Sequence, residues 1–340
     1  MRAFVLTGPG TYEVQDVPAP AAAPGEVVVD VERVGVCGTD MELFSGEMAY
    51  LHQSLAAYPL RLGHEWCGRV ASLGPGVDPV WFGRRVMGDT MLGCGTCHRC
   101  VRGRGHLCEL RQELGVRGAR PGALAEQVAV PVSSLHALPA SVDAAAGALV
   151  EPGGNALRAA RAATPDQGGR VLILGPGTIG LLVAMFARAR GAEVHLMGET
   201  PASLDFARQL GFAHVWREEN LPDLAFDSVV DASNSARLPA LALDLVEPGG
   251  RVVCIGLAGE PSRIDTRSLA LKDVTAVGVL SASPALDDTI RAYASGSVDP
   301  RPLVAATVGL DQVGPVLAGE RPVAAGAGPK IHIDPRVRID

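Results

Sequence analysis

Lysine is nearly missing from this 340-residue chain, occurring only at positions 272 and 330, and aromatic residues make up just 4%. With arginine supplying the remaining positive charge, the formal net charge is −7 and the pI about 5.6. No basic block and no arginine-aromatic stripe is present, which excludes nucleic acid and anionic membrane as expected partners. No run reaches the roughly 18 apolar residues needed to cross a bilayer. The opening stretch, MRAFVLTGPGTYEVQDVP, turns to glycine and charge too early for a secretion leader. A reducing cytoplasm is therefore the expected setting, where disulfides are rare. Internal repeats and low-complexity segments are also lacking, and the alanine and arginine bias carries no function. Hydrophobic residues at 47% against 20% charged fit a globular chain with a large core, and the length suggests two domains.

Against that setting, four cysteines fall within fifteen positions of one polar segment, GDTMLGCGTCHRCVRGRGHLCE (88–109). The spacing is Cys94-x2-Cys97-x2-Cys100-x7-Cys108. Thiolates bind zinc in a closed tetrahedron, and four of them fill it. Short spacings let one loop wrap the ion at small entropic cost. Such a site keeps no open position, so its zinc is expected to be structural. His98 and His106 lie inside the lobe but are not needed as ligands.

The first 150 residues read as short β-runs (2–7, 12–16, 26–36, 66–72, 122–138) broken by glycine and proline. From 151 to about 290, apolar strands alternate with helical stretches, the pattern of a parallel sheet covered on both faces. Within it, RVLILGPGTIGLLVAMFARARGAEVHLMGE reads as strand, glycine loop, helix, strand. In Gly175-x-Gly177-x-x-Gly180 the first glycine makes the turn, the second admits a pyrophosphate, and the third lets the helix pack closely. Thr178 and Ile179 open the helix, whose N-terminus favours an anion. This predicts a dinucleotide cofactor. An acid after the second strand would bond the ribose 2′-OH and repel a 2′-phosphate. Gly198 stands where that acid is usual and Glu199 follows, so NAD is expected with Glu199 on the ribose, and NADP is the alternative.

A second donor set is spread over three loops. GVCGTDMELFSGE (35–47) carries Cys37, LGHEWCG (62–68) carries His64 and Glu65, and LVEPGGNAL (149–157) carries Glu151. A catalytic zinc takes three protein ligands and leaves one position open. Cys37, His64 and an acid make such a set, with Glu65 and Glu151 competing as the acid. Asp40 is placed to accept from the His64 imidazole and fix its tautomer. Thr39 can pass an alcohol proton outward, since a hydroxyl both accepts and donates. In the segment 45–65, Tyr50, His52 and Gln53 are candidates either for the pocket wall or for a solvated loop.

Taken together, VCGTD (36–40), GHEWCG (63–68), the four-cysteine lobe, Glu151-Pro152 and GPGTIG (175–180) resemble the zinc-dependent medium-chain dehydrogenases, the alcohol and polyol dehydrogenase family. The resemblance covers nearly the whole chain. It implies an α/β fold with a GroES-like, β-rich catalytic domain (1–148 and 291–340, with the zinc lobe at 88–109). A Rossmann doubly wound parallel-sheet domain (149–290) completes it. It further implies Cys37, His64 and Glu151 as catalytic-zinc ligands, Glu65 as a fourth that exchanges, two Zn2+ per chain, and a homodimer or homotetramer. Glutamate at 151 points to the sorbitol, threonine and cyclitol-like branches. Glu42 stands where many members carry a relay histidine, and Gly153-Gly154 replaces a bulkier segment, leaving room for a larger substrate or a looser cofactor contact. The implied reaction is reversible hydride transfer between NAD(P) and a secondary alcohol, such as a polyol, cyclitol or amino-sugar hydroxyl, giving a ketone. The competing expectations are a zinc-free reductase of quinones or enones, a nucleotide-binding relative without turnover, and a lyase or isomerase with tightly held NAD.

Overall fold

The computed structural model describes residues 1–164 and 168–338. Two sheets organise it. The first is a six-stranded parallel sheet in the order His214–Trp216, Glu193–Met197, Arg170–Leu174, Phe226–Asp231, Val246–Cys254, Thr275–Gly278. Its central strand shows why the sequence reads as a continuous apolar run. Val171 and Ile173 enter one core, with the helix Thr178–Ala189, whereas Leu172 and Leu174 enter another, with Leu238 and Ala242 of the helix Leu238–Leu245. Alternate residues face opposite sides of a strand, so a sheet covered on both faces needs apolar residues at every position.

The second sheet has seven strands, mostly antiparallel, built around the strand Glu26–Gly35, which pairs with Glu65–Leu73, Gln127–Pro131 and Lys330–Ile333. The last of these brings the C-terminal segment into a sheet otherwise made from the first 140 residues, because Val304–Val308 and Lys330–Ile333 pair in parallel at its edge. The fold is thus α/β, a GroES-like β-rich sheet beside a Rossmann sheet.

The helix Val150–Ala163 packs into the same core as Val171 and Ile173 and carries Glu151 in its first turn. Here one expectation is corrected. Gly153 and Gly154 do not open space for substrate or cofactor. A Cβ on Gly153 would sit 2.1 Å from the Tyr293 hydroxyl, and one on Gly154 2.7 Å from the Ala282 Cβ. Tyr293 itself donates to the Leu149 carbonyl (3.1 Å) and stacks on Phe186. Gly153 lets the helix Leu286–Ser295, and Gly154 the chain at Ala282, pack tightly against this helix.

Candidate active site

Cys37 is the N-cap of the helix Gly38–Ser45, so its thiol sits at the helix mouth with Thr39 and Asp40 in the first turn. Asp40 is fully buried and divides its carboxylate. Oδ2 accepts the Cys37 backbone N–H (2.9 Å), and Oδ1 lies 3.4 Å from His64 Nδ1. The imidazole is thereby presented with Nδ1 toward the acid. Burial works against a charged His64, but Asp40 and the Cys37 thiol outweigh it and hold the imidazole well above its usual range. Donor atoms of Cys37, His64 and Glu65 lie within 4.8 Å of one another.

Glu65 begins the strand Glu65–Leu73 and is 1% exposed. Both its oxygens are taken by Lys330, at 2.7 and 3.0 Å, and the same ammonium donates to the Val36 carbonyl at 2.8 Å. Glu151 stands outside the three-donor cluster. Its Oε1 accepts from Asn155 Nδ2 at 3.0 Å, a neutral partner one helical turn on. Burial, with Glu65 and Asp89 adding repulsion, pushes its carboxyl up to about 7 against the pull of His64. Of the competing acids, then, one is hydrogen-bonded to a buried cation and the other to a neutral amide. Lys330 was missed by the sequence reasoning. Its signal was a lysine in an apolar strand of a chain that otherwise uses arginine.

Gly175, Gly177 and Ile179 line a cavity of 1360 Å3 together with Cys37, Thr39, Glu42 and Glu199. The glycines behave as their spacing predicts. Gly175 has φ +95, a Cβ on Gly180 would lie 1.9 Å from the Gly175 carbonyl oxygen, and a Cβ on Gly177 would meet nothing within 4 Å. Thr178 is the first residue of the following helix but is not among those lining the cavity. A side chain at Gly198 is blocked, since its Cβ would come within 2.6 Å of Pro176. Glu199 follows it and lines the cavity. Arg208 is held by Asp205 (2.8 Å), away from that acid. Two cavity-lining arginines escaped the sequence reasoning. Arg237 pairs with Glu218 (2.9 Å) and Arg217 with Glu219 (3.3 Å).

The four-cysteine lobe closes on itself, with all four sulfurs within 4.8 Å. Cys97 and Cys100 are 3.5 Å apart and Cys94 and Cys100 3.9 Å. Zn–S bonds of about 2.3 Å in a tetrahedron put sulfurs about 3.8 Å apart, so the donors fit the ion. Hydrogen bonds from Thr96 and the Cys97 N–H pull Cys94 down to about 6, toward the thiolate that metal binding requires. A third donor group, Glu193, His195 and His214, also falls within 4.8 Å. It is a packing feature. Trp216 donates to His195 Nδ1 (3.0 Å), His195 Nε2 meets Glu193 (2.8 Å), and the two imidazoles stack at 4.4 Å.

Tyr50 belongs to neither wall of the cavity. Its hydroxyl donates to Glu113 (3.1 Å) and accepts from Arg111 (3.3 Å), which ties the segment 45–62 to the base of the lobe. His52 and Gln53 are exposed.

A glycine-loop Rossmann sheet whose cavity is also lined by Cys37, one member of a Cys-His-Glu donor set, points to a metal- and dinucleotide-dependent oxidoreductase. Residues 23–140 match the family "Alcohol dehydrogenase GroES-like domain" and residues 178–295 match "Zinc-binding dehydrogenase". The chain is 31% identical over 327 residues to L-threonine 3-dehydrogenase of Rhizobium rhizogenes, covering 92% of each. It is 33% identical to that of Chelativorans sp. strain BNC1, covering 82% and 83%. Among solved structures, the alcohol dehydrogenase from Thermus sp. ATN1 superposes with a TM-score of 0.87 at 27% identity, covering 98% of this chain and 99% of that one. A zinc-binding dehydrogenase from Sinorhizobium meliloti 1021, bound to NADP, gives 0.88 at 28%, with the same coverage. The chain belongs to the zinc-dependent medium-chain alcohol and polyol dehydrogenases and is an NAD(P)-dependent alcohol dehydrogenase. None of the described helices is long and apolar enough to cross a membrane.

Proposed function

We propose that this enzyme oxidises the secondary alcohol of a small, hydroxyl-rich or amino-bearing substrate, a polyol, cyclitol or amino sugar, using NAD. The observation that carries the reading is that Cys37, one of the metal donors, and Thr39 line the same cavity as Gly175 and Gly177 of the dinucleotide loop. A zinc ion held there would supply Lewis-acid polarisation of the alcohol oxygen, and a bound dinucleotide would supply the hydride acceptor.

The residues divide the remaining work. Cys37, His64 and Glu151 would hold the catalytic ion. Glu151 is preferred as the acid because its partner is a neutral amide, whereas Glu65 already has Lys330. Asp40 keeps His64 Nδ1 engaged and leaves Nε2 for the ion. Thr39 accepts the alcohol proton and passes it toward water and Glu42, which lines the cavity beyond it. Free N–H groups at the start of the helix Thr178–Ala189 receive the pyrophosphate. Glu199 takes the ribose hydroxyls and repels a 2′-phosphate, and Arg217 and Arg237 are already neutralised by their own glutamates.

Cys94, Cys97, Cys100 and Cys108 would hold a second, structural zinc. Residues 1–148 with 291–340 and residues 149–290 would be the two domains. The outer strand Thr275–Gly278 has one unpaired edge, and Leu271 and Leu280 beside it are exposed, a setting for pairing with a second copy. NAD and NADP reduction against a panel of polyols, cyclitols, amino sugars and L-threonine tests the reading. Turnover of simple aliphatic alcohols alone, with no polar panel member above background, would overturn the substrate class.

A further inference from the structure

A second cavity, of 790 Å3, lies between the N-terminal hairpin Arg2–Asp16, residues 54–61 and residues 118–121, and none of its lining residues lines the dinucleotide cavity. Its walls are largely apolar, with Val5, Val17, Leu55 and Pro59 among them, and no aspartate or glutamate lines it. Two arginines do. Arg120 is neutralised, since its guanidinium donates to Glu26 at 2.7 Å. Arg61 is not. Its Nε is buried and has no hydrogen-bond partner among the described residues.

Burial is the one influence on Arg61, and it draws the guanidinium down to about 10, with no nearby carboxylate acting in the other direction. Arg61 is half-buried, and a partly desolvated cation without a counter-charge costs stability. A chain that retains one at the wall of an apolar cavity gives up stability there, which is the pattern of a binding residue. Arginine also presents a planar fork that matches a carboxylate with two parallel hydrogen bonds.

We propose that this cleft is a binding site for a small organic anion, a carboxylate on an apolar body, with Arg61 as its counter-ion. The carboxylate would sit on the Arg61 fork and the apolar body against Val5, Val17 and Leu55, leaving the dinucleotide cavity untouched.

Hexanoate is a direct probe, with hexanamide as its uncharged counterpart and inorganic phosphate as an anion without an apolar body. Calorimetric titration of the NADH-saturated enzyme should show saturable hexanoate binding and much weaker binding of hexanamide and phosphate. Arg61→Gln should weaken hexanoate by about 30-fold or more, since it removes one partner of a desolvated charge pair. Its NADH affinity and turnover should stay at wild-type values. Cys37→Ser should bind hexanoate as the wild type does, which separates this site from carboxylate binding at the catalytic metal. Without ligand, Arg61→Gln should unfold at a higher temperature than wild type. No saturable binding, equal hexanoate affinity in wild type and Arg61→Gln, or a lower unfolding temperature for the variant would each overturn the proposal.

Discussion

Lys330→Met removes the cation that donates to both oxygens of the Glu65 carboxylate. Lys330 is 3% exposed and Glu65 1%, and the ammonium makes three contacts between 2.7 and 3.0 Å, two of them to Glu65 and one to the Val36 carbonyl. Breaking a buried pair by removing one partner costs about 3–5 kcal/mol, because the remaining charge is left uncompensated. The cost should appear in full in chelator-treated protein, where no metal can stand in for the ammonium. With a urea slope of about 3 kcal/mol/M, the unfolding midpoint falls by about 1 M or more. Adding Glu65→Gln to Lys330→Met removes the orphaned charge and should recover most of the loss. The pH dependence has a fixed sign. Burial lowers the Lys330 pKa, but Glu65 outweighs it, so the folded value lies above the ordinary 10.5. A raised pKa means that the ion pair contributes fully below the unfolded value and is lost as pH rises through the folded one. On the alkaline side of neutrality, the difference between wild type and Lys330→Met should therefore persist until strong alkali removes the ammonium proton. A cost under about 1 kcal/mol, the range of an exposed pair, or a double variant as unstable as the single one, would refute the reasoning.

Four further outcomes are expected. Gly177→Ala should leave stability within about 0.5 kcal/mol of wild type, since its Cβ meets nothing, yet weaken NADH binding measured by fluorescence titration. Gly180→Ala should lose both stability and NADH binding, because its Cβ would lie 1.9 Å from the Gly175 carbonyl. Glu199→Ala should raise kcat/KM with NADP and lower it with NAD, shifting their ratio by about tenfold, about 1.4 kcal/mol of discrimination; an unchanged ratio would take Glu199 off the ribose. Cys94→Ser should release one zinc per chain and lower the unfolding temperature while leaving the catalytic metal in place, as metal analysis would show.

Local signals were legible wherever one short segment carries the whole device. The glycine loop and the four-cysteine lobe are of this kind, since spacing alone places their atoms. The parallel sheet was legible too, because strands buried on both faces must be apolar at every position, as Val171–Leu174 are. What escaped was long-range pairing. Lys330 meets Glu65 across 265 positions of sequence, and nothing in KIHID marks the lysine as a counter-ion. Gly153-Gly154 was read as room for a ligand because the sequence does not show Tyr293 arriving from another helix. Tyr50 was a candidate for the pocket wall because Glu113, its buried partner, comes from the far side of the lobe. In each case the missing information was which side chain fills the space, and only tertiary packing supplies it.

Zinc content per chain, measured for wild type and Cys37→Ser with NADH binding followed on the same samples, tests the division of metal and cofactor work most directly. Two zinc ions falling to one, with turnover lost and NADH still bound, is the expected result. One zinc in the wild type, with turnover unchanged by Cys37→Ser, would contradict it.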